Sequence, residues 1–324
     1  MQKLALFPIV LVFIVSPLPA VTQNASAITN FNGGRLGDRT KVCCKAKWLA
    51  RKYGIPFLYT DYKLFDDLML SVLEKKYDPE IHTFKKIVEI RNEAQIDLKS
   101  NDATLYVVMP GSLLLGGKRL DEVMAKDAVF RAMCKKLISS KVPLKKTVVI
   151  PKDKISVAVH VRKGGGYDRL FPQQGDDNGK VPLPRHQCAD VRFPLKFPPD
   201  QYYIDQIALL FKLCDKKPLH VHIFTDDKNP LEIVQRYQTA LNNTQISFSC
   251  REANNTYHTN VLEDLFTMMD FECLIRPDSG FSQTADFFGH HTLVIAPKSH
   301  KWQGNKLIID KVFIKDRRSR PQGA

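Results

Sequence analysis

The chain has 324 residues, 44% of them hydrophobic and 10% aromatic, an ordinary globular composition long enough for two moderate domains or one large one. Its formal charge of +14 and pI near 9.4 raise the question of a polyanionic partner. Only "KVFIKDRRSRPQGA" is a basic block, and no helix-turn-helix, zinc-finger or RNP pattern occurs, so no nucleic acid is expected as a partner.

The first element, "MQKLALFPIVLVFIVSPLPAVTQNASA", has one early Lys, an apolar run from Leu4 to Val15, and small residues at Ala25 and Ala27. That is the layout of a secretory signal over residues 1–27, cut after Ala27 or retained as a short anchor. The run falls short of the roughly 20 residues that span a bilayer. The expectation is a body beginning near Ile28, secreted or in the secretory-pathway lumen, with membrane contact only through an uncleaved leader. Asn24, Asn242 and Asn254 stand in N-x-[ST] sequons, which suits that compartment.

Next comes a glycine-rich turn, Gly33 to Gly37, and then Val42, Cys43, Ala46, Leu49 and Ala50 near helical spacing, stopped by Gly54. "IPFLYT" reads as a short buried strand, residues 61–100 as charged helix, "TLYVVMPGS" as a second strand and 119–140 as helix again. Near residue 145 the rhythm restarts. "KISVAVHVRKGGG" is a strand and turn, "DQYYIDQIALLFKLCDK" a helix, "LHVHIFTDD" a strand, and "NPLEIVQRYQTAL" a helix with Pro230 in its first turn. "ISFSC", "NVLEDLFTMMDFE", "CLIRPDSG", "FSQTADFFG" and "TLVIAP" continue the alternation, and a basic tail closes the chain over 313–324.

Apolar strands without alternation, separated by helices, mean parallel sheets covered on both faces. The class is therefore α/β, with two Rossmann-like domains, 28–145 and 146–312, facing a cleft. The seven cysteines show no CxxC and no Cys/His metal spacing, so no zinc site is expected. An exported chain could pair six of them, and Cys273, in an apolar run, reads as a core thiol.

In open α/β sheets ligands bind beyond the carboxyl ends of the strands. Those ends carry His160, Arg162 and three glycines, then Asp226 and Asp227, then "RPDSGFSQ" before a helix, with "GGRLGDR" in the first half. Arg recognises phosphate oxygens bidentately, a helix start offers free N–H groups, and paired aspartates accept from ribose hydroxyls or the N–H face of guanine. A sugar nucleotide fits this set better than a bare phosphate.

In order, "GGRLGD", "HVRKGGG", "YYIDQIALL…VHIFTDDKNPL" and "LEDLFTMMDFECLIRPDSGFSQTADFFG…TLVIAP" resemble the fucosyltransferase superfamily, over about residues 32–300. Its α1,2-, α1,6- and protein O-fucosyltransferase branches share a glycine turn, an H-x-R-x-G strand end and a late Ser-Phe-Ser-type segment. The resemblance implies a GT-B-like fold whose first domain serves the acceptor and whose second binds GDP-fucose. It implies an inverting transfer of fucose to a glycan or glycoprotein, with no cofactor or metal. Arg162 would hold the diphosphate, and His160 with Asp226 or Asp227 the guanine and ribose. Ser279, Ser282 and Gln283 would contact phosphates from the helix start, with Phe281 among the donor-binding residues. The Gly34–Gly37 backbone would close over the donor.

No D-x-D motif occurs, in keeping with a metal-free reaction. Three positions in two motifs depart from many relatives: Asp38 replaces Asn, and in "RKGGG" Lys163 and Gly165 replace the second Arg and the Asp of R-R-G-D, so the general base is left between Asp168 and Asp38. Another sugar nucleotide as donor, or a degenerate glycan- or protein-binding relative, are the alternatives.

Overall fold

A computed structural model describes residues 26–144, 148–163, 193–253, 255, 256, 259–304 and 306–318. Most of the leader, Asp168, Cys188, the glycine run after Lys163 and the last residues of the tail lie outside them.

The first half runs β1 (Ala27–Asn30), α1 (Leu36–Tyr53), β2 (Phe57–Tyr59), α2 (Leu70–Leu73), β3 (Lys75–Lys76), β4 (Lys86–Ile90) and β5 (Thr104–Val108). A small hairpin of β6 (Leu114–Leu115) and β7 (Lys118–Arg119) and two helices, α3 (Leu120–Lys126) and α4 (Ala128–Leu137), complete it. Its sheet is parallel in the order β3-β2-β1-β5-β4. α1 forms because Val42, Cys43, Ala46, Leu49 and Ala50 make one buried stripe. It stops at Gly54, whose φ of 65° lets its N–H close onto the Ala50 carbonyl.

The second half runs β8 (Ile155–Val161), α5 (Asp200–Leu213), β9 (Leu219–Thr225), α6 (Pro230–Leu241), β10 (Ile246–Cys250), α7 (Val261–Met269), β11 (Cys273–Ile275), α8 (Gly280–Phe288), β12 (Leu293–Gln303) and β13 (Lys306–Asp316). The sheet order is β10-β9-β8-β11-β12-β13, parallel except for the last pair. The order reverses between β8 and β11. That is the topological switch point, where the crevice of a doubly wound sheet opens.

The two halves share apolar packing. One buried cluster runs from Ile28, Leu49 and Phe130 in the first half through Ala158, Phe224, Leu265, Met268, Phe271 and Phe288 in the second. At its centre α1 crosses α8 so closely that a Cβ on Gly37 would lie 2.3 Å from the Phe281 backbone nitrogen. Likewise, a Cβ on Gly280 would lie 2.3 Å from an Asp38 carboxylate oxygen. Glycine at both positions is what lets the two helix starts meet.

Three expectations need correction. Residues 61–100 are not helical apart from α2 and single 3₁₀ turns; Pro79 interrupts the stretch, and β-branched Ile87, Val88 and Ile90 favour the strand β4, which lies at the sheet edge. The helix over 119–140 is two helices, because Asp127 takes an extended backbone and its carboxylate accepts from the Phe130 N–H at 2.8 Å. The tail over 313–324 begins four residues too early, since β13 runs to Asp316, paired with β12 from Leu293↔Asp316 onward. At the other end, Ala27 is fully buried in β1 opposite Leu105.

Candidate active site

Along β8 the side chains alternate. Val157, Val159 and Val161 join the core on one face of the sheet, while Ala158 joins the cluster shared with α1 on the other. His160 and Arg162 continue that second face and line a cavity at the switch point. β9 is in register with His160 opposite Phe224 and Val161 opposite Thr225, so Asp226 follows beside Arg162. Phe224, Thr225 and Asp226 line the same cavity.

Arg162 is buried, with its guanidinium 5.1 Å from the Phe197 ring centroid and Nη1 donating to the Ser279 hydroxyl at 3.3 Å. Ser279 precedes α8 and makes no side-chain cap on it. The first-turn N–H groups of a helix have no carbonyl ahead of them, and here Gly280 and Phe281 line the cavity. His160 is buried against the Phe281 ring, 5.5 Å between centroids, and its Nδ1 has no hydrogen-bond partner among the described residues. Burial, reinforced by the Arg35 and Arg276 charges, lowers its pKa to about 3, so the imidazole is neutral.

Two carboxylates stand on the same wall. Asp226 accepts the Lys163 backbone N–H at 2.8 Å, and burial raises its pKa. Asp264, in the first turn of α7, is 2.6 Å from an Arg251 guanidinium nitrogen. Burial raises its pKa to about 6 against the opposing pull of Arg251. The facing wall comes from the first half: Arg35, Leu36, Gly37 and Asp38 at the start of α1, and Tyr62. The Arg39 guanidinium lies 4.3 Å from the Tyr62 ring centroid, held by the Asn32 side chain and the Gly34 and Asp61 carbonyls.

Of the residues expected from the sequence, the cavity brings together Gly37, Asp38, His160, Arg162, Asp226, Ser279 and Phe281. The others stand elsewhere. Gly34 forms the turn before α1 with a φ of 81°. Asp227 accepts the Asn229 N–H at 2.9 Å, an ordinary Asx turn ahead of α6. The Ser282 hydroxyl donates back to the Ser279 carbonyl at 3.4 Å. Gln283 accepts from Lys41 at 2.5 Å and donates to Asp278. Asp168 falls outside the described residues.

Lys163 sends its ammonium to Asp200 at 2.5 Å instead of into the cavity. Sequence reasoning missed Arg35, Tyr62, Thr256, Thr259 and Asp264 as wall residues. Arg35 and Asp264 lie inside motifs already singled out; nothing local marks Tyr62. Among the described residues no cluster of His, Cys, Asp and Glu could hold a metal ion.

No family model and no curated protein matches this sequence. Solved structures do. FUT1 of Arabidopsis thaliana, a mutant form in complex with GDP, aligns over 86% of this chain and 72% of its own at a TM-score of 0.53, with 11% identity. The fold is that of a fucosyltransferase. The apo form of POFUT1 is also similar, at a TM-score of 0.47 and 13% identity over 84% of this chain and 97% of its own. So is fucosyltransferase NodZ from Bradyrhizobium, at 0.44 and 11% over 90% and 99%. Within the fucosyltransferase fold, the two helix starts and the ends of β8 and β9 are what enclose the cavity.

Proposed function

We propose that the chain moves fucose from GDP-fucose to a hydroxyl of a glycan or glycoprotein, with inversion at the anomeric carbon and without a metal ion. The observation that carries this reading is the convergence of Arg162, Ser279 and the start of α8 on one cavity at the switch point of the second sheet. A diphosphate placed there meets a fixed guanidinium and the positive end of a helix. As the sugar–oxygen bond breaks, negative charge develops on the departing phosphate, and a preorganised cation in a buried site stabilises it without reorganisation.

The neutral His160 then offers a hydrogen bond, not a charge, to the nucleoside. Asp226 and Asp264 are acceptors for ribose hydroxyls and the N–H face of guanine, a face that uracil lacks. Of the two carboxylates considered as proton acceptor, Asp38 lines the cavity on the wall of the first half, which supports giving it that role.

The test is titration calorimetry with GDP and UDP, followed by labelled transfer from GDP-fucose onto a glycan array. GDP binding, no UDP binding and transfer lost in Arg162→Ala are expected. UDP binding equal to that of GDP would redirect the donor to another sugar nucleotide. One observation favours a binder without turnover: Asp38 lies against the start of α8, where its charge opposes a diphosphate. Glycan capture with no GDP affinity would establish that second reading.

A further inference from the structure

Asp286 lies on α8, seven residues after Ser279, and does not line the cavity. Its buried carboxylate nevertheless gathers cations from three places in the fold. Lys315 Nζ donates to one oxygen at 3.0 Å and an Arg317 guanidinium nitrogen to the same oxygen at 3.3 Å, while an Arg276 guanidinium nitrogen lies 3.6 Å from the other. Burial alone would raise the pKa of this carboxyl; the Arg276, Lys315 and Arg317 charges outweigh it and hold it below its ordinary range. Lys315 stands in β13 opposite Val294. Arg317 follows that strand, with its backbone N–H on the Thr292 carbonyl at 2.7 Å and its side chain also on the His291 carbonyl at 2.9 Å.

Arg276 opens the loop between β11 and α8, which carries Ser279 to Arg162. The loop is tied at successive residues. The Arg276 N–H donates to the Ile295 carbonyl at 3.0 Å, the Arg276 carbonyl accepts the Tyr202 hydroxyl at 3.0 Å, and the Arg276 guanidinium donates to the Pro277 carbonyl at 3.2 Å. The Asp278 N–H donates to the Leu195 carbonyl at 2.8 Å, and the Ser279 hydroxyl then accepts from Arg162 at 3.3 Å. The Asp286–Arg276 pair closes this loop onto the helix that it feeds, so Ser279 and the start of α8 keep one position relative to Arg162. We propose that Asp286 is a positioning residue for the donor site: it joins Lys315 and Arg317 to Arg276, and through Arg276 fixes the loop and helix start that meet the diphosphate. The inference rests on the proposed donor reading. It gives Lys315 and Arg317, expected from the sequence to belong to a basic tail, a part in supporting the site. Without the carboxylate, cations left in contact have no counter-charge and separate, and the loop loses its anchor. A preorganised site loses its advantage when its groups shift by a fraction of an ångström.

The test compares Asp286→Asn, which keeps the shape and removes the charge, with Glu74→Gln as control. Glu74 is a buried carboxylate 2.6 Å from Lys47 in the first half, outside the cavity. Both variants should lose stability in urea. Only Asp286→Asn should weaken GDP binding, by about tenfold in titration calorimetry, and only it should speed deuterium exchange of the backbone amides over residues 276–284. Arg317→Met should lower GDP affinity in the same direction, and Arg317→Lys, which keeps a cation beside Asp286, should recover most of it. If Asp286→Asn does not fold, the two Arg317 variants decide in its place: equal GDP affinity in both overturns the positioning role. So does an Asp286→Asn affinity within about twofold of the parent, or an equal loss in Glu74→Gln. A parent chain that binds no GDP defeats the donor reading instead, and exchange then decides alone. Unchanged exchange over 276–284 in Asp286→Asn overturns the inference, whereas faster exchange upholds Asp286 as the support of this cavity wall whatever ligand fills it.

Discussion

The wall of the cavity built by the second half stands on seven-residue strands, buried along almost their whole length, whose register sets His160, Arg162 and Asp226 in place. The opposite wall stands on a sheet of two- to five-residue strands with exposed edges, and reaches the cavity through a glycine turn, a helix start and Tyr62. Side chains fixed by strand register cannot adapt, and they suit a ligand that never changes. Groups carried on turns can differ in reach and still be supported by the same sheet. In the proposed reading the second half holds the donor and the first half meets the acceptor.

The sharpest way to break this comparison is at Arg162. Arg162→Ala should lower fucose transfer about 10²–10³-fold, the usual consequence of removing a preorganised charge stabiliser. Arg162→Lys should recover only part of it, because an ammonium lacks the planar fork. A rate within twofold of the parent, measured with labelled donor, would mean that the rigid wall is not where the leaving group is held.

Asp264 sharpens the comparison through pH. Its folded pKa of about 6 lies above the unfolded value near 3.8. The fold therefore binds this proton more tightly than the unfolded chain does. The resulting stability is present below about pH 4 and is lost as pH rises through about 6, up to roughly 3 kcal/mol in all. Urea titrations of Asp264→Asn should lose that pH-dependent component. An unchanged slope between pH 4 and 7 would show that Asp264 is not desolvated as described.

The junction between the walls is the next target. Gly37→Ala sets a methyl group against the Phe281 backbone and should cost about 1–3 kcal/mol in urea unfolding, because neither helix start can yield without moving its half. A neutral result would mean that the two halves are not in contact at this point. The smallest effect is expected at Asp227→Ala, about 0.5–1 kcal/mol of stability from a lost turn and no change in GDP affinity. Asp226→Ala should instead weaken GDP binding at least tenfold, of the order expected for a lost hydrogen bond to a buried partner. Calorimetry that found the two variants alike would erase the distinction between adjacent aspartates.

Much of the second half was legible in the sequence. Strands such as "VAVHV" and "HVHIFT" are apolar enough to be buried on both faces, and Pro230 marked a helix start that the structure keeps. The first half was harder. β4 is an exposed edge strand, and its charged residues imitate a solvated helix when only local pattern is available. β13 was hidden in the same way, since a basic strand that pairs on one side only has little apolar signal of its own. In the site, Tyr62 gave no local sign because its place is set by neighbours far along the chain.

What the sequence determined by itself is the part that depends on local covalent geometry. Side chains two apart in a strand share a face, so His160 and Arg162 had to point together wherever that strand was packed. Which other groups they meet was decided only by the tertiary structure. Asp38 reaches the start of α8 because glycines at 37 and 280 let two backbones touch, a contact that neither sequence neighbourhood can announce. Asp227 was turned into an Asx turn ahead of α6, and Asp226 to the cavity, by the path the chain takes as it leaves β9. Local patterns settle the direction of a side chain along its own element; contact between elements depends on packing across the whole chain.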